Sequence, residues 1–339
     1  MDIGLRLKDY LDSSNRRERI EDIREDRDNS VLSFMEIIHD FLLEFKPVEK
    51  NEWIQTLYDY ALYKSFPHKW SERIDMDLIA LYEEILNLLR YVNGDDHFDY
   101  DLSGSIDEFQ RFKEAYNKLF IYEIMQLDMV INGYNTIDHV IGVKDVAMHV
   151  ALQLKELSLP VDLGIVLGAS LGHDVGKYGV VKDEQARVPY LHYYYTEQWF
   201  KQLRLEKIGH IATNHSTWDL ELETLPLESL ILIYADFRVK NKEVDGNYAM
   251  HTYSLNESFQ VILDKLDNVD EAKEMRYRRV YNKLKDFEDY MESMGVDTSL
   301  QGTLERQEKI YWSLLRGEDI VNVSALTSFN GKEASKDTL

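Results

Sequence analysis

The sequence predicts an all-α protein. Three observations carry this expectation: proline and glycine are scarce, at 5 and 16 of 339 residues; Leu, Ile, Glu, Lys and Tyr are plentiful; and apolar residues recur at helical rather than alternating spacing through most of the length. No repeat at a fixed period is visible, which disfavours a solenoid. The length suggests roughly two domains, with ample material for a full hydrophobic core.

Residues 1–130 read as a helical accessory region. Amphipathic stretches run from Val31 to Phe45 and from Leu78 to Val92, and the acidic break from Asn93 to Ser105, NGDDHFDYDLSGS, reads as an exposed loop. His39, His68 and His97 lack partners at ligand spacing and are expected to be structural. Residues 131–255 hold the informative side chains. Residues 256–318 are expected to form C-terminal helices, Glu257 to Met294 a charged amphipathic one and Leu304 to Arg316 a shorter one. The tail 319–339, ending SFNGKEASKDTL, is expected to be disordered. No closing element follows it, as in a piece of a longer protein.

Composition narrows the chemistry. Cysteine is absent, which excludes disulfides, thiolate ligands and cysteine nucleophiles and leaves His, Asp and Glu as the strong ligand types. The net charge of -23 argues against duplex nucleic acid, which is bound by clustered Lys and Arg. A small anionic substrate stays open, because a bound cation inverts the local field. The N-terminus has no apolar h-region and no later run suits a bilayer span, so a soluble, cytoplasmic protein with no membrane partner is expected. A homo-oligomer is compatible with all of this.

Helical geometry selects the candidate residues. Asn135 followed by Asp138 resembles a capping box, starting a helix near Thr136 that runs to about Leu157. At 100° per residue His139 falls in line with the apolar stripe Val143, Val146, Val150 and Leu157, and so points inward. His149 lies off that stripe. The next helix, Asp162 to about Val175, is apolar nearly all round, which marks a central buried helix; it ends in His173-Asp174, with Gly176 as a natural stop. A carboxylate buried there costs several kcal/mol unless a cation or strong donors compensate it. The negative end of the helix dipole also favours a cation.

After Pro189, suited to a first helical turn, His192 shares a face with Thr196, Trp199 and Leu203. His215 shares one with Ile208, Ile211 and Ala212, whereas His210 lies opposite. The segment Leu227 to Ala235 is apolar enough to be interior and delivers Asp236 into the same surroundings. Singly, each histidine is more often a satisfied core residue. Together, four histidines and two aspartates facing one core supply enough ligands for two octahedral ions.

These residues also carry a resemblance. His139, then His173-Asp174 in GHDVGK, then Asp236 in YADFR, resemble the H…HD…D signature of the HD-domain superfamily of metal-dependent phosphohydrolases. His192 in YLHYYY and His215 in ATNHST resemble the two further ligands of its di-metal branch. Order and spacing are most similar to the bacterial hydrolases of symmetrical dinucleoside tetraphosphates, over about a third of the chain. The resemblance implies that His139, His173 and Asp236 bind one metal, that His192 and His215 bind the other, and that Asp174 bridges them. The ions would be divalent or trivalent, iron foremost or manganese, with magnesium and cobalt as further candidates.

Asp174 and Lys177 would serve catalysis, and Lys177, at the HDxxK position, would contact a substrate phosphate. Arg238 is a second phosphate candidate, although helical spacing from Asp236 turns it away. The implied activity is cleavage of a phosphate ester or anhydride bond in a nucleotide-like small molecule by a metal-activated hydroxide. Two rivals share the ligand set: an HD-type di-iron oxygenase acting on a small polyol or phosphonate, and a nucleotide-binding regulatory HD protein. The chain departs from the cyclic-dinucleotide branch, with Asn214-His215 in place of paired histidines and no GYP string after them. Its long acidic N-terminal region has no counterpart in the compact tetraphosphate hydrolases. Tyr193, Tyr194 and Tyr195 with Trp199 are candidates for stacking a base, although aromatics at helical spacing are more often core.

Overall fold

A computed structural model describes residues 7, 30–43, 50–69, 78–132, 134–216, 225–244, 247–265 and 271–303. Among them it forms 12 α-helices and 3 short strands, an all-α fold as expected. No helix among the described residues is long and apolar enough to cross a membrane. The chain divides into two units, one made of Met1–His97, Tyr116–Asn135 and Arg306–Phe329, the other of Phe98–Ala115, Thr136–Glu305 and Asn330–Leu339. Phe98–Ala115, which lies within the first 130 residues, thus belongs by its contacts with the second unit.

The first unit contains α1 (Ser30–Leu43), α2 (Lys50–Ser65), α3 (Ile79–Asn93) and α5 (Ile121–Asn132). In α3 the residues Leu81, Tyr82, Ile85, Leu86, Leu89 and Val92 follow three-and-four spacing, and all are buried. Gly94, at φ 68°, ends this helix by donating its N–H to the Arg90 carbonyl, a conformation that a side chain would strain. Helix α2 packs on α3 and α5, and Tyr58 donates to Asp128 across 2.9 Å. His97 stacks on Tyr122 with centroids 4.9 Å apart, and none of His39, His68 and His97 joins a metal-capable group among the described residues.

The second unit is built around a short central helix. It contains α4 (Asp107–Lys118) up to Ala115, α6 (Thr136–Glu156), α7 (Leu163–Gly172), α8 (Val188–Gln202), α9 (Glu206–Thr213), α10 (Leu227–Arg238), α11 (Leu255–Lys265) and α12 (Glu271–Ser293). Asp162 caps α7, its side chain accepting from the N–H groups of Gly164 and Ile165. The helix is buried on nearly every side, and α6, α9 and α10 pack on it. Each aliphatic side chain placed there contributes about 1.5–3 kcal/mol of burial, which anchors the end of α7 where the polar residues emerge. Phe112 stacks on Phe200 at 6.0 Å and Trp199 meets Phe112 edge-on. Trp199 is 2% exposed and belongs to this core, not to a base-stacking surface.

Four features differ from the sequence-based expectation. Helix α6 stops at Glu156, so Leu157 leaves the stripe and is exposed. Helix α7 stops at Gly172, short of Val175, and a 3-10 turn over Val175–Gly179 follows the His173-Asp174 step. Gly176 within that turn is required by close approach: a Cβ there would overlap the His192 carbonyl oxygen and Thr196 of α8. Finally, a hairpin of β1 (Val239–Val244) and β2 (Asn247–Thr252) follows α10 directly, with β3 (Gly302–Thr303) antiparallel to β2. The register pairs Val244 with Asn247, leaving Asp245-Gly246 between them, and Asp-Gly between alternating residues is a hairpin signal. The expected helix from Glu257 to Met294 is described as α11 and α12. The expected helix at Leu304 to Arg316 and the tail 319–339 lie outside the described residues.

Candidate metal centre

Every candidate ligand sits at or near the end of an element of the second unit. His139 lies in the first turn of α6, His173 and Asp174 directly follow α7, His192 lies near the start of α8, and Asp236 lies in the last turn of α10. His215 stands beyond the end of α9 at Thr213, so a turn, not a helix face, aims it. His173, Asp174, His192 and His215 are buried, while His139 and Asp236 are partly exposed.

These six residues fall into two groups, His139, His173 and Asp236 in one and Asp174, His192 and His215 in the other. Within each group the ligand atoms lie within 4.8 Å of one another. His139 Nε2 is 3.1 Å from Asp236 Oδ1 and 3.4 Å from His173 Nε2. His192 Nε2 is 3.4 Å from His215 Nε2. Asp174 stands between the groups, with Oδ2 3.5 Å from both His139 Nε2 and His173 Nε2, and Oδ1 3.9 Å from His192 Nε2.

Backbone carbonyls orient three of the imidazoles. His173 Nδ1 lies 2.8 Å from the Ser170 oxygen, His192 Nδ1 2.8 Å from that of Val188, and His215 Nδ1 2.6 Å from that of Ala212. A carbonyl accepts and never donates, so each Nδ1 carries the proton and each Nε2 presents its lone pair to the interior of the site. Burial pushes the His173 imidazole below its ordinary value, and pushes those of His192 and His215 down to about 4. The rings are therefore neutral at physiological pH and suited to coordination. Two nitrogens about 2.0–2.1 Å from a shared ion are separated by roughly 3.0–3.4 Å, the range in which both Nε2 pairs fall.

The carboxylates are held ionised. Burial pushes Asp174 upward, but Lys177 and the surrounding imidazoles outweigh it and hold the group well below the usual range. Asp236 behaves alike, with Lys240 and His139 opposing its burial. Lys177 Nζ is 2.7 Å from Asp174 Oδ2, in ion-pair contact but outside hydrogen-bond geometry, so this buried oxygen accepts no hydrogen bond. An ionised, buried oxygen with an unused lone pair beside neutral imidazoles is a donor set that fits a cation.

The structure thus brings His139, His173, Asp174, His192, His215 and Asp236 together and places Lys177 against them. Arg238 is not part of the site. It is 1% exposed, and its guanidinium donates to the Tyr253 carbonyl, the Leu300 carbonyl and the Tyr234 hydroxyl. Each of its three nitrogens donates inside the fold, and its burial removes it as a substrate-binding residue. His149 bonds the Asp297 carbonyl instead, and His210 is exposed.

One neighbour, Lys240, escaped the sequence reading, and another, Tyr193, entered it only as a base-stacking candidate. Tyr193 packs its ring on His192 and His215, with centroids 3.9 and 4.8 Å away. Lys240 reaches Asp236, and its i,i+4 spacing from that residue was the available signal. Neither a family model, nor a curated protein, nor a solved structure matches this chain. The arrangement itself is a pair of adjacent His/Asp groups that could hold metal ions.

Proposed function

We propose that the chain is a metal-dependent phosphohydrolase of the HD type, acting on a phosphate ester or anhydride bond of a nucleotide-like small molecule. The observation that carries this reading is the division of six side chains into two adjacent ligand groups with Asp174 facing both. His139, His173 and Asp236 would hold one ion, His192 and His215 the other, with one carboxylate oxygen of Asp174 toward each. Imidazole with carboxylate suits iron or manganese, and cobalt similarly, better than magnesium, which prefers oxygen throughout. When bound, two such ions lower the pKa of a water and offset charge on the phosphoryl oxygens.

The chain's own residues supply orientation and charge. The carbonyls of Ser170, Val188 and Ala212 fix three imidazoles before any ligand arrives, so little reorganisation is needed on binding. Lys177 is 24% exposed and ends a flexible four-carbon stem. With a cation held by Asp174, the ammonium would be free to turn to a substrate phosphoryl oxygen. The overall charge of -23 turns long polyanions away and is compatible with a small substrate drawn by a local cationic centre.

The test is phosphate release from a panel of nucleotides by anaerobically purified protein, with Asp174→Ala and His173→Ala beside the wild type. Loss of turnover with retained helical circular dichroism is expected for both. Full activity in either variant overturns the reading, and substrate-linked oxygen uptake without phosphate release points to the oxygenase instead.

A further inference from the structure

We infer that Lys240 acts with Lys177 to make the centre prefer a substrate bearing two adjacent phosphoryl groups over one bearing a single phosphoryl group. This inference rests on the phosphohydrolase reading and narrows its substrate class to a diphosphate or longer polyphosphate. Each ligand group contributes one aspartate, and each aspartate carries one lysine. Lys177 Nζ is 2.7 Å from Asp174 Oδ2, and Lys240 Nζ is 3.7 Å from Asp236 Oδ1. His139 joins the two pairs, its Nε2 lying 3.1 Å from Asp236 Oδ1 and 3.5 Å from Asp174 Oδ2.

Both lysines are 24% exposed, and their carboxylates are 3% exposed at Asp174 and 21% at Asp236. The Lys177 ammonium thus stands on the solvent side of a buried carboxylate, while Lys240 and Asp236 both reach solvent. Cations bound to the aspartates would take over the charge that the lysines now balance, and both ammonium groups would become available to an incoming anion. Lys240 also donates to the Asp236 backbone carbonyl at 2.8 Å, which uses one of its three donors. A diphosphate offers one phosphoryl group to each ammonium, and hydrogen bonds between charged partners are the strong ones. Arg238, spent inside the fold, offers no alternative.

A lysine that merely caps the end of α10 would affect stability and leave anion preference unchanged, and this separates the two roles. Calorimetric titration of manganese-loaded protein with inorganic pyrophosphate and with inorganic phosphate, for wild type, Lys240→Met and Lys240→Arg, measures the preference. Metal content and melting temperature are recorded on the same samples. Wild type is expected to bind pyrophosphate more tightly; Lys240→Met to lose about tenfold in pyrophosphate affinity and about twofold or less in phosphate affinity; and Lys240→Arg to keep the preference, with manganese content equal in all three. Equal losses for both anions, or none, overturn the inference. So does a Lys240→Met protein that sheds manganese, since Lys240 would then only position Asp236. Wild-type protein that takes up none of manganese, iron or cobalt overturns the phosphohydrolase reading and this inference together, whereas wild type that takes up metal but binds both anions alike overturns this inference alone.

Discussion

The Nε2 atoms of His192 and His215 face each other at 3.4 Å while the Nδ1 of each ring meets a backbone carbonyl. With the protons on Nδ1, no hydrogen bond joins the two rings. Two lone pairs converge instead, an arrangement that is favourable when a cation lies between them and repulsive otherwise.

Acid lability of the metal-free protein follows. Burial lowers His192 and His215 from 6.5 to about 4, so the unfolded chain takes up protons first as pH falls. Their neutral forms cost nothing above pH 6.5, and stability is lost progressively as pH drops from there toward 4, on the order of 3 kcal/mol for each ring at most. Urea midpoints of chelator-treated protein, followed down this window, should decline, and His215→Phe should flatten the decline. A profile that stays level in the wild type contradicts the assignment.

Gly176→Ala should damage the site from behind. The new Cβ would press on the His192 carbonyl and Thr196, which packed backbone cannot yield without moving α8. A loss of about 2–4 kcal/mol is expected in urea unfolding. Gly104→Ala, at φ 83° with nothing within 4 Å, should cost only about 1 kcal/mol of backbone strain.

Arg238→Met tests the structural role of this residue. It would leave the Tyr253 and Leu300 carbonyls without their donor and remove the guanidinium from the Tyr234 hydroxyl, while Lys285 stays on Glu288. Destabilisation of about 3–5 kcal/mol is expected, with phosphate affinity of the folded protein unchanged. Weaker phosphate binding at undiminished stability would return Arg238 to the site.

Glu123 provides a check in the first unit. Burial pushes its carboxyl up to about 7 from 4.5, outweighing the hydrogen bond from Asn93 and the charge of Arg90. Its protonated form is harmless below pH 4.5, and stability is lost as pH rises through 7. Glu123→Gln should therefore stabilise the protein above pH 7, by up to roughly 3 kcal/mol, and change little near pH 4. Equal effects at both ends of this range would show that the group is not buried in ionisable form.

Much of the site is legible in the sequence because polar side chains are conspicuous against apolar helices. Asp174 closes a helix whose residues are almost all buried, and Asp236 ends the run LESLILIYA; in both cases the surroundings demand a compensating charge. His215 was selected from a helical face it does not occupy. The true aiming device, the Ala212 carbonyl, depends on α9 ending at Thr213, and helix ends are weakly encoded. Lys240 was missed because its reach to Asp236 depends on a strand leaving α10 without a loop, and the alternation of β1 and β2 is short beside the helical pattern around it. Gly176 was legible as a special position but not as a contact, since its reason lies in α8, twenty residues away.

The most direct test of the central claim is the metal content of anaerobically purified protein, measured by elemental analysis for wild type and Asp174→Ala. About two ions per wild-type chain are expected, with a loss of at least one when the shared carboxylate is removed. Wild-type protein that releases phosphate from nucleotides while holding no metal, or an Asp174→Ala chain that keeps its full complement, would contradict that claim.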